Sequence, residues 1–379
     1  MATTDETATD AFAERLYEAA VGALDLYGVY LGDELGYYRA LADGPLTVAD
    51  LAARTGTDER YTREWCEQQV TTGVLRTEWT DDTDDADERH YELPSAYIEA
   101  LVDEESLSFV APFGQLVVGA MAPREAILDA YRTGAGVPFE AYGRPLREGQ
   151  SRINRPAFLT LLGEEWLPAL PDVDERLRST DPEPARVADV GCGGAWSCIG
   201  MARAYPEIRV DGYDLDAASV EMARENVREA GLDDRISVHH ADASDALDGD
   251  YDLVTAFECV HDMADPVGAL ATMADLAGED GTLLVVDERV GETFGDPTDV
   301  EAMMYGWSIV HCLPVGREDD HSTATGTVMR ADTFREYAAA AGVDEVEVLP
   351  IESDFFQFYR LDPGAPETRD RRREPGMPR

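Results

Sequence analysis

Residues 186–216, RVADVGCGGAWSCIGMARAYPEIRVDGYDLD, decide the fold of this chain. An apolar run at 187–190 is followed by a turn that is rich in glycine: Gly191, Gly193 and Gly194. A helical pattern over 196–204 then precedes a second apolar run, 208–213, which ends at Asp214. The order of strand, tight turn, helix, strand and terminal acid predicts one half of a doubly wound α/β sheet.

A turn of this kind serves NAD, FAD or S-adenosyl-L-methionine (SAM), because glycines let the backbone approach a ligand at a helix N-terminus. The dinucleotide fingerprint G-x-G-x-x-G would require a small residue where Trp196 stands. The chain instead reads D-x-G-x-G-G-A, with Asp189 two residues before the first glycine. These details favour SAM over a dinucleotide.

The turn resembles the first motif of class I SAM-dependent methyltransferases, acid-x-G-x-G-x-G. The resemblance implies an α/β, Rossmann-like domain with a seven-stranded sheet, SAM as cofactor and S-adenosyl-L-homocysteine as coproduct. Ala195 stands where the family has its third glycine. Since alanine avoids the left-handed region, we expect a negative φ at Ala195.

The same resemblance implies which residues bind the cofactor. Asp214, at the end of the second strand, would accept the ribose hydroxyls, and Asp242 with the amide of Ala243 would bind the donor and acceptor of the adenine edge. An Asp in this position is also common as a helix cap. The full predicted set is Asp189, Gly191, Cys192, Gly193, Asp214, Leu215, Asp242, Ala243 and Phe257.

His261 is the predicted general base. It begins H-D-M-A-D, which resembles the H-D-W-x-D stretch of plant-type small-molecule O-methyltransferases, with Met263 in place of tryptophan. A hydroxyl is a poor nucleophile until its proton leaves, and histidine titrates near neutrality. The alternative is a structural histidine at the start of a helix. Glu258 is a second candidate base, or a partner for a cationic acceptor.

The acceptor pocket is predicted from an insertion at residues 289–331, which contains an aromatic and methionine-rich helix over 298–313. These apolar side chains equally suit a protein core. The residues assigned to the pocket are Tyr142, Met304, Tyr305, Trp307 and His311.

The sequence pattern of the N-terminal part predicts an α+β winged helix, because its elements follow the order helix, helix, turn, helix and two short strands. A winged helix suggests DNA, but the would-be recognition helix and the wing are acidic. Many of the small-molecule O-methyltransferases that the chain resembles carry an N-terminal winged helix that dimerises and covers the substrate pocket. The resemblance therefore implies a dimerisation and lid domain, with a SAM-binding transcriptional regulator as the alternative function. The predicted parts are a winged helix at 1–100, a helical connector at 101–180, the methyltransferase domain at 181–361 and a disordered tail at 362–379.

The net charge and the cysteine spacing indicate the cellular environment and the binding partners of the protein. The formal net charge is −47, and all 31 basic residues are arginine, as in proteins from salt-accumulating cytoplasms such as those of haloarchaea. At ~1 M salt the Debye length is about 3 Å, so this self-repulsion is tolerable. The spacing of the five cysteines predicts no metal site. We expect a cytoplasmic homodimer that acts on a small-molecule methyl acceptor and binds neither nucleic acid nor membrane.

The remaining pattern supplies the other elements of the predicted sheet. Five further strands are expected at 236–240, 250–257, 282–288, 346–350 and 355–361. Helices are expected at 13–42 with an interruption near Gly32, and at 47–54, 58–72, 106–131 with breaks at its prolines, 154–170, 217–230, 267–277 and 332–341.

Overall fold

The computed structural model describes residues 4–77, 88–245, 247–295, 298, 300–319 and 321–363. The chain divides into two compact units. The first comprises residues up to Gly119 together with Glu148–Pro156, and the second comprises Ala120–Arg147 and everything from Ala157 onward. Among the described helices, none combines the length and apolarity that a membrane span requires.

The first unit is mainly helical and carries a small antiparallel sheet. Its strands are β1 (Leu46–Thr47), β2 (Arg76–Thr77) and β3 (His90–Glu92), in the order β1-β3-β2. Its helices are Thr4–Glu34, Tyr37–Leu41, Val48–Thr55, Glu59–Thr71, Ile98–Leu101 and Pro112–Ala120. Most of the acidic loop between β2 and β3, and the tail from residue 364, lie outside the described residues.

Local signals explain where these helices start. Thr47 accepts a hydrogen bond from the backbone N–H of Asp50 and so caps its helix, and Asp58 caps the next helix in the same way. Gly32 lies inside the first helix. A larger residue would not fit there, because its Cβ would come within 2.5 Å of the Trp65 ring and 2.6 Å of the Tyr38 ring. Glycine thus allows the first helix to pack closely on its own unit.

The second unit contains the predicted seven-stranded sheet, in the order β6-β5-β4-β7-β8-β10-β9. Strands β4 to β8 are parallel, and β10 is antiparallel to both of its neighbours. The strands are β4 (Arg186–Val190), β5 (Arg209–Asp214), β6 (Ile236–His240), β7 (Leu253–Phe257), β8 (Thr282–Glu288), β9 (Val346–Val348) and β10 (Phe356–Leu361).

Apolar side chains from alternate strand positions form two core clusters. Val187 belongs to one cluster and Ala188 to the other, as expected when successive side chains point to opposite faces of a sheet. The helices of this unit are Arg124–Thr133, Pro171–Arg178, Trp196–Ala204, Ala217–Glu229, Pro266–Ala277, Glu301–Trp307, Leu313–Gly316 and Ala331–Ala340. From β4 the chain first adds strands on one side (β5 and β6) and then on the other (β7 and β8). Open α/β sheets bind their ligands at such a point, beyond the carboxyl ends of the strands.

Four predicted helices differ in extent from the observed ones. The helix expected from residue 13 already begins at Thr4. The helix expected from residue 154 begins at Gly143, because its polar first half also favours helix, and it contributes residues 148–156 to the first unit. The helix expected over 106–131 is two helices that start at Pro112 and Arg124. The insertion helix begins at Glu301 and widens into a π-helical turn at Ser308–Cys312.

A buried ion pair stabilises the first unit. The Arg152 guanidinium donates to both carboxylate oxygens of Asp33, at 2.6 and 3.1 Å, and also to Glu104 and Gln115. Asp33 is only 5% exposed. Removal of Arg152 would therefore leave a buried charge without its main partner.

We expect Arg152→Met to lower the free energy of unfolding of the first unit by about 3–5 kcal/mol. Thermal and denaturant unfolding in molar KCl would measure it. The matched control is Arg60→Met, which breaks an ion pair to Glu64 whose side chains are 70% and 68% exposed, and which should cost no more than about 0.5 kcal/mol. Equal losses in the two variants would contradict the structural role of Arg152.

Candidate active site

The glycine turn between β4 and the next helix is bound directly to the end of β5. The backbone N–H groups of Gly191 and Cys192 both donate to the carbonyl of Tyr213, at 2.8 and 3.0 Å. Gly191 has φ 71°, and a Cβ there would lie 2.7 Å from the Cys259 sulfur. Only glycine satisfies both the backbone conformation and the close approach.

Asp214 joins the two halves of the predicted cofactor site. Its carboxylate accepts from the N–H of Gly193 at 2.8 Å and from the N–H of Asp216 at 2.8 Å, one bond to each oxygen. Burial raises the pKa of Asp214. Each carboxylate oxygen still has a lone pair for a further donor, so the predicted pair of ribose hydroxyls remains chemically feasible.

Asp189 lies beneath the turn. Its two oxygens accept from Ser197, Cys198 and Thr255, at 2.5, 3.3 and 2.6 Å, and it is 1% exposed. Burial raises its pKa to about 6. Asp189 therefore connects β4 to β7 and to the following helix, and it supports the turn from the side opposite to a ligand.

The backbone of Ala195 differs from our expectation. Its φ is +61° and its ψ is 23°, so the prediction of a negative φ was wrong. The residue completes the turn by donating to the Cys192 carbonyl at 2.8 Å, and its own carbonyl accepts the first bond of the helix from Ile199. The left-handed region costs alanine about 1–2 kcal/mol, which this packed and hydrogen-bonded turn offsets.

The outer side of the turn is open. A Cβ on Gly193 would meet nothing within 4 Å, and Leu215, next to the ribose acid, is largely exposed. An open cradle beside an acid with spare acceptor capacity fits the nucleoside part of SAM.

The other predicted cofactor residues follow β6 and β7. Asp242 accepts from the N–H and hydroxyl of Ser244, at 2.8 and 2.7 Å, so one of its oxygens serves the local turn. Ala243 follows in the same turn. The Phe257 ring packs against Phe158 and Trp166 in the core, with centroids 5.2 and 6.4 Å away, which leaves its backbone for a ligand contact.

His261 lies in a short helical turn after β7 and contacts the end of β8. Its Nδ1 is 2.7 Å from Asp287 and 3.0 Å from Glu288. Burial opposes a charge on the imidazole, but the two acids outweigh it and hold the pKa of His261 well above its usual value. The proximity of His261 to two acids from the adjacent parallel strand therefore favours the protonated imidazole.

Glu258, the other candidate base, has an unusual backbone. Its φ is +52°, and its N–H donates to the Val286 carbonyl at 2.8 Å. A non-glycine residue in this region is strained, and such strain occurs often at functional sites. Since β7 ends at Phe257, Glu258 and His261 both lie on the loop that follows this strand.

The predicted pocket residues separate into two groups. Tyr142 donates to the Val310 carbonyl at 3.0 Å, and its ring packs edge-on against His311 at 4.8 Å. Burial lowers the pKa of His311 to about 3, so this imidazole is neutral. Met304 is buried and Trp307 half-buried, whereas Tyr305 lies at the surface near Arg330.

Four site residues were missed by sequence reasoning: Asp262, Asp287, Glu288 and Cys312. The acids of β8 had a readable signal, because the carboxyl ends of adjacent parallel strands meet at one edge of the sheet. Cys312 had none, since only the folded insertion brings its thiol to His261 and Asp262. The ligand atoms of His261, Asp262 and Cys312 lie within 4.8 Å of one another, so the absence of a metal site stays a prediction.

Comparison with known proteins identifies the domain and the fold. Residues 183–325 match the family model described as a methyltransferase domain. Among curated relatives, the ubiquinone biosynthesis O-methyltransferase of Aromatoleum aromaticum is 28% identical over 180 residues, which are 46% of this chain and 71% of that protein. The chain spans only 5%, 38% and 27% of the length of the first three curated relatives that it matches.

Solved structures resemble the chain over nearly its whole length. The mitomycin 7-O-methyltransferase MmcR aligns with a TM-score of 0.67 at 21% identity and covers 94% of this chain and 99% of its own. Human N-acetylserotonin methyltransferase in complex with SAM aligns with a TM-score of 0.69 at 16% identity and covers 96% and 100%.

The fold is therefore that of the class I SAM-dependent methyltransferases. The match to a methyltransferase domain also confirms the predicted cofactor, SAM. The alternative of a winged-helix transcriptional regulator finds no support in these comparisons.

We expect Asp214→Ala to weaken SAM binding by ~1–3 kcal/mol, because the ribose hydroxyls lose a charged acceptor. Calorimetry with SAM and with S-adenosyl-L-homocysteine would measure the change. Asp233→Ala, an exposed acid of the same unit, is the control and should bind normally. Unchanged affinity in Asp214→Ala would remove Asp214 from the cofactor site, and tighter binding of NAD than of SAM would refute the cofactor itself.

Proposed function

We propose that this protein is a SAM-dependent methyltransferase that methylates a hydroxyl oxygen of a small organic molecule. The observation that carries the proposal is the glycine turn of residues 191–195, bound to the ribose acid Asp214 within the matched methyltransferase domain. Structural neighbours named as O-methyltransferases support the choice of oxygen.

Different residues of the second unit would bind different parts of the cofactor. When bound, SAM supplies an electrophilic methyl group. Asp214 would accept the ribose hydroxyls, and Asp242 with Ala243 would orient the adenine. The backbone of Phe257 and the turn at Gly191–Gly193 would fix the methionine part near the end of β7. Transfer between a sulfonium and a nucleophile needs positioning and exclusion of water more than acid–base power.

His261 would take the proton of the acceptor hydroxyl. Asp287 accepts a hydrogen bond from Nδ1 and fixes the ring, so the acceptor would have to reach the other nitrogen, Nε2. Asp287 and Glu288 raise the pKa of the imidazole, which strengthens the base but means that the ring must first lose a proton. Glu258, on the same loop, is the second candidate.

We expect His261→Asn to lower kcat by ~10²–10⁴ while SAM affinity stays unchanged, because the side chain keeps nearly its size but loses its titration. The wild-type rate should rise with pH and continue to rise above the ordinary histidine range, since the free base forms only above the raised pKa. Steady-state rates and calorimetry from pH 6 to 10 would measure both.

Exposed His321 provides the matched control, and His321→Asn should leave the rate and its pH profile unchanged. If the kcat of His261→Asn on the true acceptor lies within threefold of the wild-type value, His261 is not the general base. Loss of SAM binding or of folding in this variant would make His261 a structural residue instead.

We further propose that the first unit is a winged helix that forms a homodimer rather than a DNA-binding module. Its order of helix, strand, two helices and two strands supports the winged helix. The helix Thr4–Glu34 exposes a set of large apolar side chains, of which Tyr17 and Leu24 are 72% and 70% exposed: Phe12, Leu16, Tyr17, Val21, Leu24 and Tyr27. A second copy of the chain would cover this surface. The cytoplasmic and halophilic setting remains a prediction from composition.

We expect a dimer by light scattering in molar salt, and we expect Leu16→Glu combined with Leu24→Glu to yield monomer, because two charges would enter the apolar contact. Ala11→Glu adds a charge to the opposite face of the same helix, at 100° per residue, and should stay dimeric. A wild-type protein that is monomeric at all concentrations tested would contradict the homodimer.

A further inference from the structure

The residues that follow the predicted ribose acid form a tight, hydrogen-bonded turn. The N–H of Asp216 donates to Asp214 Oδ1 at 2.8 Å, so a shift of Asp216 would move the carboxylate that we assign to the ribose. The Asp216 carboxylate also caps the next helix, Ala217–Glu229, because it accepts from the N–H and the hydroxyl of Ser219, both at 2.8 Å. Asp216 therefore links the ribose acid to the start of that helix.

An arginine from a distant part of the chain holds the carboxylate of Asp216. Arg147 donates from Nε to Asp216 Oδ2 at 2.6 Å and from Nη2 to Oδ1 at 3.3 Å, which is the paired geometry that suits a guanidinium and a carboxylate. The two side chains are 12% and 16% exposed, so salt screens this pair less than an exposed one. Exposed ion pairs contribute little, but a paired and largely buried contact orients both partners.

Arg147 is itself held in place by its own segment. Its guanidinium lies over the ring of Phe139, 5.8 Å from the centroid. The Phe139 ring packs edge-on against His311 of the insertion, with centroids 5.7 Å apart. In the same segment, the N–H of Val137 donates to the Pro314 carbonyl at 2.8 Å. The segment is thus attached to the insertion, and it brings a fixed cation to the cofactor side of the second unit.

The charge of Arg147 also acts on the ribose acid. Burial raises the pKa of Asp214, and the charge of Arg147 works in the opposite direction. The other titratable groups near this carboxylate are acids or a thiol: Asp189, Cys192, Asp216 and Asp262. Arg147 thus favours the ionised form of Asp214, in which both oxygens can accept hydrogen bonds from the ribose hydroxyls.

We propose that Arg147 is a positioning residue for SAM: through Asp216 it holds the Asp214 carboxylate, ionised and in place, for the ribose hydroxyls. This inference rests on the proposed methyltransferase function and names a residue outside the sequence motifs. The space beside Asp214 is open to a ligand, since a Cβ on Gly193 would meet nothing within 4 Å and Leu215 is 61% exposed. No contact between Arg147 and the cofactor is required.

We expect Arg147→Met to weaken the binding of S-adenosyl-L-homocysteine by about tenfold, the loss typical of one charged hydrogen-bond partner. Calorimetry in molar KCl near neutral pH would measure it. The matched control is Arg228→Met, which breaks an exposed ion pair to Glu225 on the helix Ala217–Glu229 and should bind as the wild type does. A folded Arg147→Met protein whose affinity lies within about twofold of the wild-type value would overturn the proposal.

The pH dependence of the affinity separates positioning from a general loss of structure. Affinity should fall as the pH decreases through the pKa of Asp214, because the protonated acid loses an acceptor, and without Arg147 this fall should begin at a higher pH. Arg147→Lys keeps the charge but not the paired hydrogen bonds, so it should lose part of the affinity and keep the wild-type pH profile. Identical profiles for wild type and Arg147→Met would overturn the proposal. If Arg147→Met does not fold, wild-type affinity in Arg147→Lys would overturn it instead.

A double-mutant cycle tests the route through Asp216. Asparagine also caps helices, so Asp216→Asn should keep the helix start but lose the charge that holds the guanidinium. In this background, Arg147→Met should change the affinity by less than about threefold. The full loss in this background would mean that Arg147 acts by another route, and would overturn the proposal. A wild-type protein that binds neither SAM nor S-adenosyl-L-homocysteine would instead refute the proposed function itself.

Discussion

The hydrogen bonds between the glycine turn and the end of β5 are the contact on which the rest of the site depends. The Tyr213 carbonyl receives two N–H groups of the turn, and the Asp214 carboxylate receives a third. These bonds leave the turn little freedom, so the following helix starts at a defined place. If Asp214 accepts the ribose hydroxyls as we propose, the same carboxylate would connect recognition of the ribose to the position of the turn.

Charge is distributed differently at the surface and in the site. The net charge of −47 belongs mainly to solvated side chains, and molar salt would screen it within a few ångströms. The acids around His261 are buried, where screening by salt is weak, and their effect on the imidazole persists at any ionic strength. The acidity of the sequence as a whole therefore says little about the site, whereas two buried acids, Asp287 and Glu288, raise the pKa of the one imidazole.

The elements with the clearest periodicity were predictable from the sequence. Strands Ile236–His240 and Thr282–Glu288 and helix Trp196–Ala204 have the expected bounds, because apolar runs and flanking turn residues mark both ends. The helix Gly143–Leu161 was underestimated because its first half is polar on every side and so lacks an apolar stripe. Ala195 shows the limit of residue preference: a tight turn with its hydrogen bonds made outweighs the cost of a left-handed alanine.

The acceptor side of the site was the least predictable, and the physical reason lies in one turn of helix. The insertion widens into a π-helical turn at Ser308–Cys312, where each residue advances less around the axis than in an α-helix. His311 and Cys312, although adjacent in sequence, are both buried, while Ile309 in the same turn is half exposed. The change of pitch shifts the side chains that follow relative to an α-helical pattern, so the sequence periodicity does not say which of them face His261. The residues that complete the surroundings of His261 thus come from the segment where helical periodicity fails, so that chemistry on the acceptor side depends on packing against β8 rather than on any motif.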